Sequence, residues 1–200
     1  MKYEYDRRPL TPEEEEKVRF WTDALLHGRN PEKAAHELYA IGVRTRGAVR
    51  TRGSVSHAAP SRFPSDIDNK PILEMFQTDT SPSIRITVAS ALAEMGGQEA
   101  IPILRRLVIG TERDEDVGVR AAALDAIGFI GGPVALEVLE TVVMNDPDPS
   151  IQGIAIGLIV SLGKNEPDNA VKILNHLTQI LPEGEIHDQV ISAKKIFSSR

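Results

Sequence analysis

Two copies of Val-Arg-Thr-Arg-Gly lie six residues apart, at Val43–Gly47 and Val49–Gly53. The guanidinium fork of arginine pairs bidentately with carboxylate or phosphate. Arg44, Arg46, Arg50, Arg52 and Arg62 therefore form an anion-seeking set. The stretch 43–65 that holds them contains five of the chain's 23 basic residues and none of its 29 acidic ones. Its Gly, Ser and Pro residues predict a flexible insertion, and long loops of this kind are either functional or disordered. The chemistry admits an acidic protein partner, an RNA phosphate backbone or the propionates of a tetrapyrrole as its target. It also admits a mobile loop drawn to the protein's own acidic surface.

Other reactive side chains do not assemble into a recognisable motif. No phosphate loop, dinucleotide fingerprint, nucleophile elbow or zincin motif occurs, and the 200 residues include no cysteine. Thiol catalysis, disulfides and cysteine-based metal sites are thereby excluded. No catalytic residue, cofactor or metal is expected. Glu13–Glu16 reads as a solvated first turn favoured by the helix dipole. Glu112–Asp116 lacks the alternating oxygen ligands and central glycine of a calcium loop, and reads as a solvated linker. Asp146-Pro147-Asp148-Pro149 reads as a turn followed by an N-cap. The formal charge of −6 argues against general nucleic-acid binding by the whole chain. The absence of cysteine fits a reducing compartment. Met1–Asp6 carries no apolar signal core, and the weakly polar run Gly153–Gly163 is too short to span a bilayer. These features predict a cytoplasmic protein with no membrane partner.

The elements that would position any site come from a repeat. Ile84–Gly96, Val119–Gly128 and Ile151–Gly163 align without gaps, their starts 35 and 32 residues apart, and the second also carries Gly131-Gly132 where the first has Gly96-Gly97. Val119, Ala123, Leu124 and Ile127 make one apolar stripe at helical spacing. Alanines in the middle permit close helix approach, and glycine ends the helix. A second helix follows each: Gln98–Val108, Pro133–Val143 and Asp168–Leu177. Prolines mark first turns at Pro133 and Pro149. A degenerate copy at Asn30–Gly42 lies 54 residues before the first regular one. That offset is about one repeat plus 22 residues, roughly the length of the arginine-rich insertion. Thr11-Pro12-Glu13-Glu14 is a capping box that opens a helix through Val18, Trp21 and Leu25. A final helix at about His187–Phe197 would cap the array.

This pattern resembles HEAT-like repeats, and most closely the short PBS lyase HEAT-like subgroup. The resemblance is carried by Val119-Arg120-Ala121-Ala122-Ala123-Leu124-Asp125-Ala126-Ile127-Gly128, then Ala135-Leu136-Glu137-Val138-Leu139, then Asp146-Pro147-Asp148-Pro149. Arg85 keeps the arginine that follows the apolar start, whereas Gln152 replaces it in the third copy. The resemblance implies an all-α superhelix of about four antiparallel helix pairs. It forms one domain: N-terminal helices at 11–42, the arginine-rich insertion at 43–65, regular repeats at 67–180 and a capping helix at 185–200.

Such arrays bind macromolecules on extended concave surfaces, lined by the second helices. The candidate contacts there are Arg105, Arg106, Glu137, Glu140, Lys172 and Asn175, a mixed-charge set suited to a protein partner. Phe20 and Trp21 are adjacent, so on a helix they point different ways, and Trp21 is a candidate anchor. The subgroup includes subunits of phycobilin lyases, which makes bilin handling an alternative to a non-catalytic scaffold. RNA binding through the arginines is a second alternative. Deoxyhypusine hydroxylases are HEAT-repeat proteins that bind two irons through several His-Glu pairs. This chain has one such pair, His36-Glu37, too few for that chemistry. No oligomeric state is legible.

Overall fold

A computed structural model describes residues 3–27, 29–51, 81–95 and 97–198, with 3–7, 26 and 45–51 described by backbone alone. Arg52 and Arg62, the rest of the insertion after Thr51 and the first part of the regular repeats up to Thr80 lie outside the described residues. The elements are β1 (Tyr3–Arg7), α1 (Pro12–Leu26), α2 (Pro31–Thr45), β2 (Arg46–Thr51), α3 (Pro82–Met95), α4 (Ile101–Val108), α5 (Val117–Ile130), α6 (Pro133–Asn145), α7 (Pro149–Gly163), α8 (Pro167–Ile180) and α9 (Glu185–Ser198). The fold is the expected all-α array of packed helix pairs, with one addition. β1 and β2 form a two-stranded antiparallel ribbon that sets Glu4 opposite Arg50 and Arg7 opposite Arg46.

The helices form two layers. In the first, α2 packs on α3, α3 on α5, α5 on α7 and α7 on α9. In the second, α4 packs on α6 and α6 on α8. The aligned positions of the sequence repeat are the ones that face inward. Val88, Ala123 and Ala155 are buried at one level, Ala89, Leu124 and Ile156 at the next, and Leu92, Ile127 and Ile159 below them. The second helices repeat the arrangement with Leu104, Leu139 and Leu174. Each helix alone would leave its stripe in water, where a Leu or Ile side chain forfeits about 1.5–3 kcal/mol of burial. The stacked neighbours supply the cover.

Local signals start and stop the helices as the residue types require. Thr11 and Glu14 close their capping box, the Glu14 amide donating to Thr11 Oγ1 at 3.3 Å and the Thr11 amide to Glu14 Oε2 at 2.9 Å. Arg8 adds a two-pronged contact to the same carboxylate. Together they push the Glu14 carboxyl down to about 2. At the α5–α6 corner, Gly131 and Gly132 take φ of 70° and 87°, the left-handed region that glycine enters at little cost. Gln98, from the preceding repeat, donates to the Gly131 carbonyl at 2.8 Å. One boundary moves: residues Gly97–Ala100 form a single 3-10 turn and α4 begins only at Ile101. Pro102 therefore sits in the first helical turn, where its missing N–H is one of the orphan donors.

In the Glu112–Asp116 linker, expected to be solvated, Glu112, Arg113 and Glu115 are exposed but Asp114 is not, and Asp146 in the next turn is buried likewise. Asp114 is 8% exposed and Asp146 4%, because each takes an arginine from the preceding first-layer helix. Arg85 of α3 reaches Asp114 through Nε at 2.6 Å and Nη2 at 2.9 Å. Arg120 of α5 reaches Asp146 through Nε at 3.0 Å and Nη2 at 3.2 Å. Nη1 of Arg120 also donates to the carbonyls of Asp114 and Glu115 at 3.0 and 3.1 Å. The aspartates in turn accept the Asp116 and Asp148 amides. Asp116 and Asp148 are the N-caps of α5 and α7, so the N-cap reading of the Asp-Pro-Asp-Pro turn holds for Asp148. The third repeat explains its own departure. Three residues before α5 and α7 stand Asp114 and Asp146, but three residues before α9 stands Pro182. The equivalent aspartate that would receive an arginine at 152 is thus missing. Gln152 instead donates to the Val143 carbonyl at 2.9 Å.

Two stability predictions follow from this packing. Gly42 of α2 lies against Glu94 of α3 so closely that an added methyl falls inside the contact distance of Glu94 Cβ. Gly→Ala inside a helix ordinarily gains up to ~1 kcal/mol. Here overpacking costs about 1–3 kcal/mol, so Gly42→Ala is expected to lower the urea midpoint rather than raise it. Removing one member of the Arg120–Asp146 pair, as in Arg120→Met or Asp146→Leu, leaves a buried charge and should cost about 3–5 kcal/mol. Combining the two replaces the pair with apolar packing and should recover most of that loss, which a double-mutant cycle by denaturant unfolding measures directly.

Candidate functional site

Burial on the second layer follows one register. Ala100, Ala135 and Ala170 are equivalent, as are Leu104, Leu139 and Leu174, and all six are buried. Counting outward from these fixes which side chains share the outer face. Pro102, Glu137 and Lys172 form one row, and Arg105, Glu140 and Asn175 the next. Arg105, Glu137 and Lys172 are exposed. Thus α4, α6 and α8 bring five of the six second-helix candidates into these two rows, and Arg106 lies beside Arg105 on α4.

Some of these charges are already engaged. Arg106 pairs with Glu112, the carboxylate that follows the end of α4. Glu140 accepts from Nδ1 of His176 at 2.7 Å, a contact that links α6 to α8 across the face. Sequence spacing could not reveal that link, because the partners lie 36 residues apart. Arg105, Glu137 and Lys172 make no ion pair among the described residues. Val134, one helical turn before Glu137, keeps 47% of its surface exposed and adds an apolar spot to the same helix face.

The remaining candidates lie elsewhere. Arg44 ends α2 with its Nε donating to the Ala40 carbonyl at 3.2 Å. Its helix runs three residues into the stretch read as an insertion, through Thr45. Arg46 and Arg50 fall in β2, so part of that stretch is paired backbone rather than free loop. Of the adjacent aromatic pair, Trp21 packs partly against the core beneath Lys33, whose Nζ lies 5.4 Å from the ring centre. Phe20 is the exposed member, at 59%, and meets Trp21 edge-on at 4.8 Å. His36 is an exposed helix residue whose Nδ1 contacts the Glu32 carbonyl. Among the described residues no three His, Asp or Glu side chains converge as metal ligands.

A cleft of about 610 Å³ opens between the turns that precede α5 and α7, beside Arg113, Val117, Pro147 and Pro149. The buried guanidinium of Arg120 lines it, but that group is taken up by Asp146 and two carbonyls. The cleft is the surface trace of the inter-repeat ion pairs, which the sequence did not disclose.

Residues 69–160 match the family model of HEAT repeats. That stretch is similar to a HEAT-like repeat array. The match spans the three helix pairs whose buried rows and inter-repeat ion pairs are described above, apart from the third pair's second helix. No curated protein matches the chain. HEAT repeats are commonly protein-interaction scaffolds. No helix among the described residues is long and apolar enough to cross a membrane.

Because the face residues point away from the core, they can be changed without unfolding the array. Arg105→Ala, Glu137→Ala and Lys172→Ala should each shift stability by no more than about 0.5 kcal/mol. His176→Ala removes one exposed pair and should cost under about 1 kcal/mol. Thermal melts of the four variants check this, and a large loss in any would show that the residue supports the fold.

Proposed function

We propose that this chain is a non-catalytic protein-binding adaptor that holds its partner on the outer face of α4, α6 and α8. The observation that carries the reading is the shared register of those three helices. It gathers charged side chains of both signs into one continuous surface, with Arg105, Glu137 and Lys172 making no ion pair among the described residues. Mixed charge suits a protein surface, where complementary potentials set register and partner choice. Duplex nucleic acid instead rewards many cationic contacts to phosphate, and two glutamates in the middle of the face oppose that. In HEAT-like arrays the second helices line the concave side, which makes this the surface a partner would enter. The arginine-rich stretch 43–65 serves as an accessory contact for an anionic group of the partner. The proposal places the protein in the cytoplasm, as one repeat domain.

A photo-crosslinking residue placed singly at 105, 137 or 172 of the full chain in its native cells tests the reading. Protein adducts are expected from all three positions and not from Asp125, an exposed residue of the first-layer helix α5. Adducts from Asp125 alone, or from none of the four, would remove the proposal. Two other readings have their own signatures. A shifted bilin absorbance on mixing with the protein would support a phycobilin-lyase-like role. Salt-dependent binding of short RNA, lost when Arg44, Arg46, Arg50 and Arg52 become Ala, would support RNA recognition.

A further inference from the structure

We propose that the β1–β2 ribbon is a second binding site, one face of which takes a single strand of nucleic acid through two tyrosines and a pair of opposed arginines. The inference goes beyond the adaptor reading and concerns a different part of the molecule from α4, α6 and α8. Three observations lead to it.

First, the pairing register builds a face that residue spacing alone does not disclose. Tyr3 stands opposite Thr51, Tyr5 opposite Val49 and Arg7 opposite Arg46. Residues two apart on a strand share a face, and so do opposed residues of paired strands. Tyr3, Tyr5, Arg7, Arg46, Val49 and Thr51 therefore lie on one face. Glu4 and Arg50 are opposed on the other, where Asp6 joins them. Between the Tyr5 and Arg7 pairs, β2 uses three residues where β1 uses two. Without that extra residue Arg46, four positions from Arg50, would share the face of Arg50 and the acids. The bulge transfers it to the tyrosine face, and bulges beside functional sites re-aim a residue in this way.

Second, that face suits an anion. Arg7 and Arg46 are like charges placed directly opposite, an arrangement that destabilises a strand pair. An anionic group shared by the two guanidinium forks turns the repulsion into attraction. The face carries no acid to do so. Arg44 is exposed two residues before Arg46, whereas Arg8, next to Arg7, is held by Glu14 at the start of α1. Two arginines also make the face costly to bury in an apolar core, so its residue types favour a wet ligand.

Third, the tyrosines select the kind of anion. Tyr3 and Tyr5 lie about 6.6 Å apart along the strand, twice the ~3.4 Å advance per nucleotide of a stacked duplex strand. Bases seated one on each tyrosine cannot also stack on each other. The ligand is therefore a splayed single strand, the form in which aromatic side chains take bases. A run of carboxylates would satisfy the arginines and leave the tyrosines unused. The formal charge of −6 opposes nucleic acid over the chain as a whole, whereas 43–65 holds no acid, which confines the contact to the ribbon.

The test titrates a fluorescein-labelled oligouridine of about ten nucleotides with the full chain at low ionic strength, read by anisotropy. The same strand in a duplex and an oligoglutamate of equal charge are the rivals. The single strand should bind most tightly. Tyr3→Val and Tyr5→Val keep strand propensity and should each weaken it about fivefold or more. Tyr3→Phe and Tyr5→Phe keep the ring and should bind as wild type does. Arg7→Ala combined with Arg46→Ala should lower the slope of log affinity against log salt by about 1.4. Arg50→Ala, on the other face, should cost less than Arg46→Ala. Wild-type binding by the Val variants, losses in the Phe variants equal to theirs, or equal losses at Arg46 and Arg50 would each overturn the inference. So would oligoglutamate or duplex binding as tight as that of the single strand, or no binding at all. Crosslinks from 105, 137 and 172 should be unchanged in the tyrosine variants, so the adaptor reading stands or falls on its own.

Discussion

The buried arginine–aspartate pairs between successive repeats are the constraint on which the rest of the array depends. Apolar burial holds neighbouring helices together but says little about how far one may slide along the other. Arg85 and Arg120 remove that freedom, because a guanidinium fork meets a carboxylate well in few geometries. Each pair also reaches the start of the next helix. The aspartate that receives an arginine accepts the amide that sets the N-cap residue in place, so the orientation of one repeat is passed to the first turn of the next. In the third repeat both members of the pair are absent. There Gln152 makes its own contact to the Val143 carbonyl instead.

The candidate binding face inherits its order from this arrangement. Arg105, Glu137 and Lys172 belong to three different repeats, and their places on one surface require α4, α6 and α8 to stack in register. The second layer has no buried ion pair of its own among the described residues. Its register follows from Leu104, Leu139 and Leu174 seating against the first layer, whose spacing the arginines and aspartates set. The Glu140–His176 contact bridges two of those helices at the surface, where solvent keeps its contribution small.

Much of the fold was legible in the residues. The alignment of Ile84, Val119 and Ile151 predicts the first-layer helices, and their apolar positions are the buried ones. The capping box at Thr11, the glycine corner at 131–132 and the prolines at 133 and 149 all mark ends the structure places where those residue types require. The candidate face was legible as a set of outward residues on second helices. What escaped was long-range. Glu112–Asp116 reads as a solvated acidic linker because nothing nearby in sequence pairs with Asp114, whose partner Arg85 is 29 residues away. The strand at Arg46–Thr51 escaped for a related reason. Its partner is the N-terminal segment Tyr3–Arg7, and a local reading of Gly, Thr and Arg sees only a loop.

By itself the sequence determined the repeat, the helix periodicity, the faces that must be buried and the absence of thiol chemistry, since each depends on residue type and spacing within about one repeat. The tertiary structure alone decided which charges are spent. Whether an arginine seeks a partner outside the protein or is held within it turns on whether a carboxylate from a distant turn comes within a few ångströms. Arg85, Arg106 and Arg120 meet such groups and Arg105 does not. Only the packing of whole repeats against one another brings those groups together or keeps them apart.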